Sequence, residues 1–137
     1  MKTKIETEFQ VVKWNEKTWD GQEAHTVEGR KCTDTTAEYR YEGEMTGTSQ
    51  VHYVMSYNED GTGAFVGIEA FVGGVRGRSG SFVMRHEGTF DKEAVRTILQ
   101  VVPHSGTGDL AGMTGAAEVE MKGHHPGYRF VLETDAV

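Results

Sequence analysis

Every apolar run in this chain is short, rich in β-branched and aromatic residues, and bounded by turn residues. Candidate strands fall at residues 4–14, 31–41, 49–57, 63–73, 81–90, 94–102, 115–122 and 128–134. Between them stand Asp60-Gly61, Arg76-Gly77, Asp91-Lys92 and His124-His125-Pro126-Gly127, all of which favour chain reversal. No window carries the 3.6-residue apolar period of an amphipathic helix, and residues 15–29 are polar and read as a long loop. Eight short antiparallel strands on 137 residues predict one all-β domain, residues 1–137, rolled into an eight-stranded up-and-down barrel. Closure is expected because it removes the unpaired edges an open sheet would leave. The inside of such a barrel is just wide enough for packed side chains or for one small ligand. Both alternatives stay open on these grounds.

Glycine supplies 18 of the 137 residues, about twice the usual share of about 7 %. With two prolines and no low-complexity tract, the glycines read as turn and strand-bend residues rather than as a disordered linker. They are densest in Pro103-His104-Ser105-Gly106-Thr107-Gly108-Asp109-Leu110-Ala111-Gly112-Met113-Thr114-Gly115, directly after the apolar run Ile98 to Val102. That stretch predicts a tight connection that visits positive φ at several places.

The charge balance narrows the partners. With 14 basic against 21 acidic residues and a net charge of −7, no nucleic-acid surface is expected. No basic amphipathic stretch suits an anionic membrane surface, and no segment reaches the roughly 18 apolar residues of a membrane helix. The first ten residues alternate charged with apolar side chains and lack the apolar core of a secretory signal. Cys32, the one cysteine, has no internal partner, which fits a reducing compartment. A cytoplasmic protein is the expectation.

Turn chemistry sets cross-strand register, and register says which residues share a face. A two-residue turn at Arg76-Gly77 pairs Val75 with Arg78, Phe71 with Phe82, Glu69 with Met84 and Gly67 with His86. Phe65, Glu69, Phe71, Phe82, Met84 and His86 then share one face, with Glu69 and His86 as diagonal neighbours. A three-residue loop at Glu59-Asp60-Gly61 places Tyr53 and Met55 beside Gly67 and Phe65 on that same face. A two-residue turn at Asp91-Lys92 sets Glu87 opposite Arg96 as an outward ion pair and turns Thr97, Leu99 and Val101 inward.

This face is aromatic and thioether-rich, with Glu69 and His86 as its polar groups, a composition suited to binding a small hydrophobic molecule. The candidate lining is Met55, Phe65, Phe71, Phe82, Met84, Thr97, Leu99 and Val101. The alternative is an isomerase or cyclase. A carboxylate and an imidazole in an apolar interior form a pair that can move a proton, with Tyr53 as hydrogen-bond donor. The same pair could equally satisfy itself and only hold the strand register. A third reading is an oligomeric structural or interaction protein, with Val66, Ile68, Ala70 and Val83 as an outer apolar patch of a homo-oligomer. No metal and no cofactor are expected. The six histidines form no His-x-His and no His-Glu-x-x-His, and His124-His125 before Pro126 reads as a solvated turn. Trp14 and Trp19 flank the polar loop, where they could lid one barrel mouth or pack outside it.

The run Gly106-Thr107-Gly108-Asp109-Leu110-Ala111-Gly112-Met113-Thr114-Gly115 resembles the Gly-Thr-Gly-x-(apolar)-x-Gly-x-x-Gly signature of allene oxide cyclases and plant dirigent proteins. Residues 51–57, Asp60-Gly61-Thr62, Phe65-Val66-Gly67-Ile68-Glu69 and residues 77–90 resemble a bacterial domain-of-unknown-function family of allene-oxide-cyclase-like barrels. The resemblance spans about residues 5 to 134 and implies an eight-stranded barrel. It implies no assigned biochemical role. The plant relatives close or orient reactive intermediates inside the barrel, mostly by shape. Glu69 and His86 stand where that pattern has its Glu and His, whereas His52 stands where it favours an acid.

Overall fold

The computed structural model describes residues 2–123 and 127–135. Its strands are β1 (Thr3–Thr18), β2 (Lys31–Gly43), β3 (Met45–Tyr57), β4 (Gly63–Val75), β5 (Arg78–Phe90), β6 (Ala94–Val101), β7 (Thr107–Gly108), β8 (Ala116–Lys122) and β9 (Tyr128–Thr134). All neighbours run antiparallel. Because β1 pairs with both β2 and β9, the ring β1-β2-β3-β4-β5-β6-β8-β9 closes on itself. The architecture is the expected all-β, eight-stranded up-and-down barrel. β7 is a two-residue addition that pairs outside the ring with Gly80 and Ser81 of β5. Among the described residues no helix is long and apolar enough to cross a membrane.

The β4–β5 hairpin follows the register predicted from its turn. Arg76 and Gly77 both take positive φ, at 49° and 82°, the geometry that matches the right-handed twist of the two strands. Val75 faces Arg78, Phe71 faces Phe82, Glu69 faces Met84 and Gly67 faces His86. The β3–β4 connection also behaves as expected. Asn58 N–H donates to Thr62 O at 2.7 Å, leaving Glu59-Asp60-Gly61 as the loop, with Gly61 at φ 85°. Tyr53 then lies beside Gly67 and Met55 beside Phe65.

The β5–β6 turn departs from expectation. Phe90 pairs with Val95 and Thr89 with Arg96, and the Asp91 N–H donates to Ala94 O at 3.0 Å, so the two-residue turn is Lys92-Glu93, one position later than expected, and the register moves by two. Asp91 causes the difference. Its Oδ1 accepts from the backbone N–H of Glu93 at 2.8 Å and of Ala94 at 2.9 Å, a side-chain bridge that makes Asp91 the residue before the turn rather than its first member. The predicted Glu87–Arg96 ion pair is therefore absent: Glu87 faces Ile98, and Arg96 binds Glu120 at 2.9 Å and Asp91 at 3.3 Å. A shift of two residues preserves facing, so Thr97, Leu99 and Val101 still turn inward and are buried.

β1 is longer than predicted, and the polar segment after Trp14 is strand as far as Thr18. Asn15 to Thr18 pair with Thr33 to Thr36 of β2, and backbone pairing does not require apolar side chains. A bulge between Val11 and Lys13 re-aims the upper half of β1, so Trp14 and Glu16 continue the inward row begun by Ile5, Thr7 and Phe9. The rest of the predicted loop holds one 3-10 turn at Ala24–Thr26.

The glycine-rich stretch closes the lower end of the barrel. Gly108 and Gly115 take positive φ, at 60° and 143°, as does His104 at 65°. The path carries Leu110 and Met113, 1 % and 2 % exposed, beneath the barrel interior, where they join one core with Met45, Val75, Phe71, Phe82 and Leu132. Outside the ring Val66, Ile68 and Ala70 are exposed, while Val83 is partly covered by the segment whose Ser105 Oγ accepts from its N–H at 3.0 Å. Of the predicted His124-His125-Pro126-Gly127 turn, the first three lie outside the described residues.

Candidate functional site

The upper half of the barrel is open. Above the packed lower layer lies a cavity of about 380 Å³ whose polar floor is formed by Glu69 and His86 and whose walls are rich in aromatic rings. Glu69 comes from β4 and His86 from β5, and their diagonal placement across the hairpin brings Oε1 within 2.7 Å of Nε2. Glu69 Oε2 accepts from the Tyr41 hydroxyl. Tyr41 sits on β2, two strands away. It reaches across because β3 presents the small Ser49 inward between them. The far imidazole nitrogen, His86 Nδ1, lies 3.4 Å from Thr97 Oγ1. Glu69 is 0 % and His86 3 % exposed, so both polar groups answer each other rather than bulk water, as buried polar groups must.

A second polar pair stands higher on the wall. The Tyr39 and Tyr53 hydroxyls lie 2.7 Å apart, and the Tyr53 ring meets His86 edge-on at 5.2 Å. Burial pushes the Tyr39, Tyr41 and Tyr53 phenols well above the ordinary phenol value, and the Glu69 charge adds to this for Tyr41. All three stay protonated at neutral pH. Tyr53 lies where it does because Gly67, directly opposite it, has no side chain: a Cβ there would come within 2.4 Å of the ring. Phe65 covers Gly88 in the same way. Two inward glycines thus seat two wall rings, and the barrel keeps room above its floor.

The mouth is framed by Trp14, Tyr57, Phe90, Met121 and Tyr128. Trp14 packs 6.0 Å from Tyr53 and is 47 % exposed, an inward residue that reaches solvent because the barrel opens there. Glu16, one turn of the alternation further, accepts from Thr33 Oγ1 at 2.7 Å and from the Tyr57 hydroxyl. Trp19 faces outward and is 65 % exposed.

The structure distributes the predicted site residues over two layers. Met55, Phe65, Thr97 and Leu99 line the cavity beside Glu69, His86 and Tyr53. Phe71, Phe82, Met84 and Val101 belong to the packed layer below. Tyr53 bonds Tyr39 rather than Glu69 or His86. Tyr39 and Tyr41 are site residues that the sequence reading did not assign, and Trp14, read there as either a lid of one mouth or an outer residue, lines the cavity. Alternation of Thr33, Thr35, Ala37, Tyr39 and Tyr41 along β2 is the signal that marks the first two. Among the described residues no three His, Cys, Asp or Glu side chains cluster as metal ligands.

A protein-family profile described as "Protein of unknown function (DUF3224)" matches residues 5–132. The chain belongs to that family. It is similar to a crystal structure of a protein with unknown function from the DUF3224 family of Shewanella oneidensis MR-1, at 26% sequence identity and a TM-score of 0.81. That likeness covers 100% of this chain and 99% of the other. No curated protein matches.

Proposed function

We propose that this DUF3224 protein binds a small, largely apolar molecule in the upper half of its barrel. The observation that carries the reading is the cavity itself. About 380 Å³ lies between an aromatic wall and a Glu69–His86 floor, within the roughly 300–1,000 Å³ of small-molecule sites. A few convergent polar groups at the end of an apolar pocket fix the orientation of a ligand without dominating its affinity. The closed eight-strand meander supports grouping the chain with allene-oxide-cyclase-like barrels, which would make shape the main instrument of its action. Native mass spectrometry of gently purified protein, followed by organic extraction, tests the reading. A stoichiometric small-molecule adduct is expected. A protein that stays apo after incubation with a panel of apolar compounds overturns it.

The 2.7 Å approach of His86 Nε2 to Glu69 Oε1 on the cavity floor favours a second reading, an isomerase or cyclase that moves a proton within the bound molecule. Extraction from a folded Glu69→Gln variant separates the two. A different compound from that of the wild type supports chemistry, and the same compound supports binding alone.

A further inference from the structure

Resting on the reading of the cavity as a binding site, we infer that its occupant is a lipophilic cation: an apolar molecule that carries a substituted ammonium group. Among the described residues the cavity lining contains no lysine and no arginine, whereas it contains Glu69 at the floor; the Asp91 carboxylate at the mouth is already paired with Arg96 at 3.3 Å. Lys31 Nζ, 4.6 Å over the Tyr57 ring at the mouth, is held by the Ala24 and Val27 carbonyl oxygens, so an anionic head group deeper in the cavity would meet no basic side chain and would lie near the buried Glu69 carboxyl group. That arrangement is among the costliest in a low-dielectric interior.

His86 is the one lining group able to supply positive charge, and it is turned onto Glu69 at 2.7 Å. That ring nitrogen is committed to the Glu69 carboxyl group and is not turned up into the cavity. The phenols add donors but no counter-charge. Tyr41 donates to Glu69, and Tyr39 and Tyr53 are occupied with each other at 2.7 Å.

The walls match a cation equally well. Phe9, Trp14, Tyr39, Tyr53, Phe65 and Tyr128 all border the cavity. The negative faces of such rings attract an ammonium group, and the attraction grows when water is excluded. The carboxylate beneath them is held by two hydrogen-bond partners and is not free to swing out. A substituted ammonium also gives up hydration more readily than a primary amine, so rings can replace its water shell. Finally, the net charge of −7 favours the approach of cations over anions to the protein as a whole.

The test uses three probes of one size on the full chain: benzyltrimethylammonium, its uncharged carbon isostere neopentylbenzene, and 3-phenylpropionate. Dissociation constants come from calorimetry or from protein NMR shifts. The expected result is that the ammonium probe binds about tenfold or more tighter than its isostere, with phenylpropionate the weakest. In Glu69→Gln the ammonium preference shrinks while the isostere still binds. If the isostere binds as tightly as the cation, or the anion binds tightest, the charge inference is overturned and the apolar cavity reading stands. If none of the three binds at millimolar concentration, the cavity reading fails and takes this inference with it. Should Glu69→Gln fail to fold by circular dichroism, the wild-type comparison alone decides.

Discussion

The Tyr53 ring lies over Gly67, so close that a Cβ on that glycine would stand 2.4 Å from the ring and 2.5 Å from the His52 carbonyl oxygen. The ring can move; the carbonyl, held in the β3–β4 ladder, cannot move without breaking the sheet. Gly67→Ala is expected to destabilise the fold by about 1–3 kcal/mol through overpacking and to weaken ligand binding by displacing Tyr53. Denaturant midpoints at unchanged m check the first expectation. Gly112→Ala is the control: nothing lies within 4 Å of its added Cβ, and its effect is expected to stay within about 0.5 kcal/mol.

The Tyr39–Tyr53 hydroxyl pair, 2.7 Å apart and buried, predicts a specific non-additivity. Tyr39→Phe or Tyr53→Phe alone leaves one buried hydroxyl without its partner, at about 1–3 kcal/mol. The double variant leaves none. A double-mutant cycle is therefore expected to show that the second substitution costs less than it does alone, with a coupling of about 0.5–1.5 kcal/mol. Strict additivity would mean that the pair contributes nothing as a pair.

Much of this arrangement is legible in the chain, for local reasons. Arg76-Gly77 places two positive-φ residues at the β4–β5 turn, and one turn then fixes thirteen cross-strand pairs, Glu69 and His86 among their members. Glu59-Asp60-Gly61 does the same for Tyr53 and Met55. Asp91-Lys92 misleads because the Asp91 side chain, not backbone propensity, decides the position of that turn. Trp14 stays undecided between mouth lid and outer packing because the bulge between Val11 and Lys13 reverses the facing of everything after it, and no glycine marks the site. Tyr39 and Tyr41 escape because the turn around Glu44 has no Asn-Gly or Asp-Gly signature, which leaves the β2 register unread. The split into a packed lower and an open upper layer depends on Leu110 and Met113 folding beneath the barrel, a long-range contact with no local signal.

That plug predicts its own cost. Leu110 is 1 % exposed and packs in the main core, so Leu110→Ala is expected to destabilise by about 2–5 kcal/mol. Because the lesion lies below Phe71, Phe82 and Met84, the affinity of the upper cavity for an apolar probe is expected to change little in the folded variant. Calorimetry at a temperature where the variant is folded checks both halves of the statement.

Stability is expected to fall at alkaline pH. Tyr39, Tyr41, Tyr53 and Tyr57 have phenols raised above the ordinary value, chiefly by burial. The folded chain therefore holds protons that the unfolded chain releases above pH ~10. The stability is fully present below that pH and is lost as pH rises toward the folded-state values. Urea midpoints from pH 8 to about 11.5, with tyrosinate absorbance followed in parallel, should show ionisation arriving together with unfolding. The decline is expected to be shallower in Tyr41→Phe than in the wild type.

The central claim, an open upper layer over a packed lower one, is tested most directly by methyl NMR of methionine-labelled protein titrated with benzene, a probe that enters dry apolar cavities. Met55 and Met121 line the cavity, whereas Met84 and Met113 are buried in the core. The account predicts saturable shifts at Met55 and Met121 with Met84 and Met113 nearly still. Absence of any saturable shift, or equal shifts at all four methyls, would contradict it.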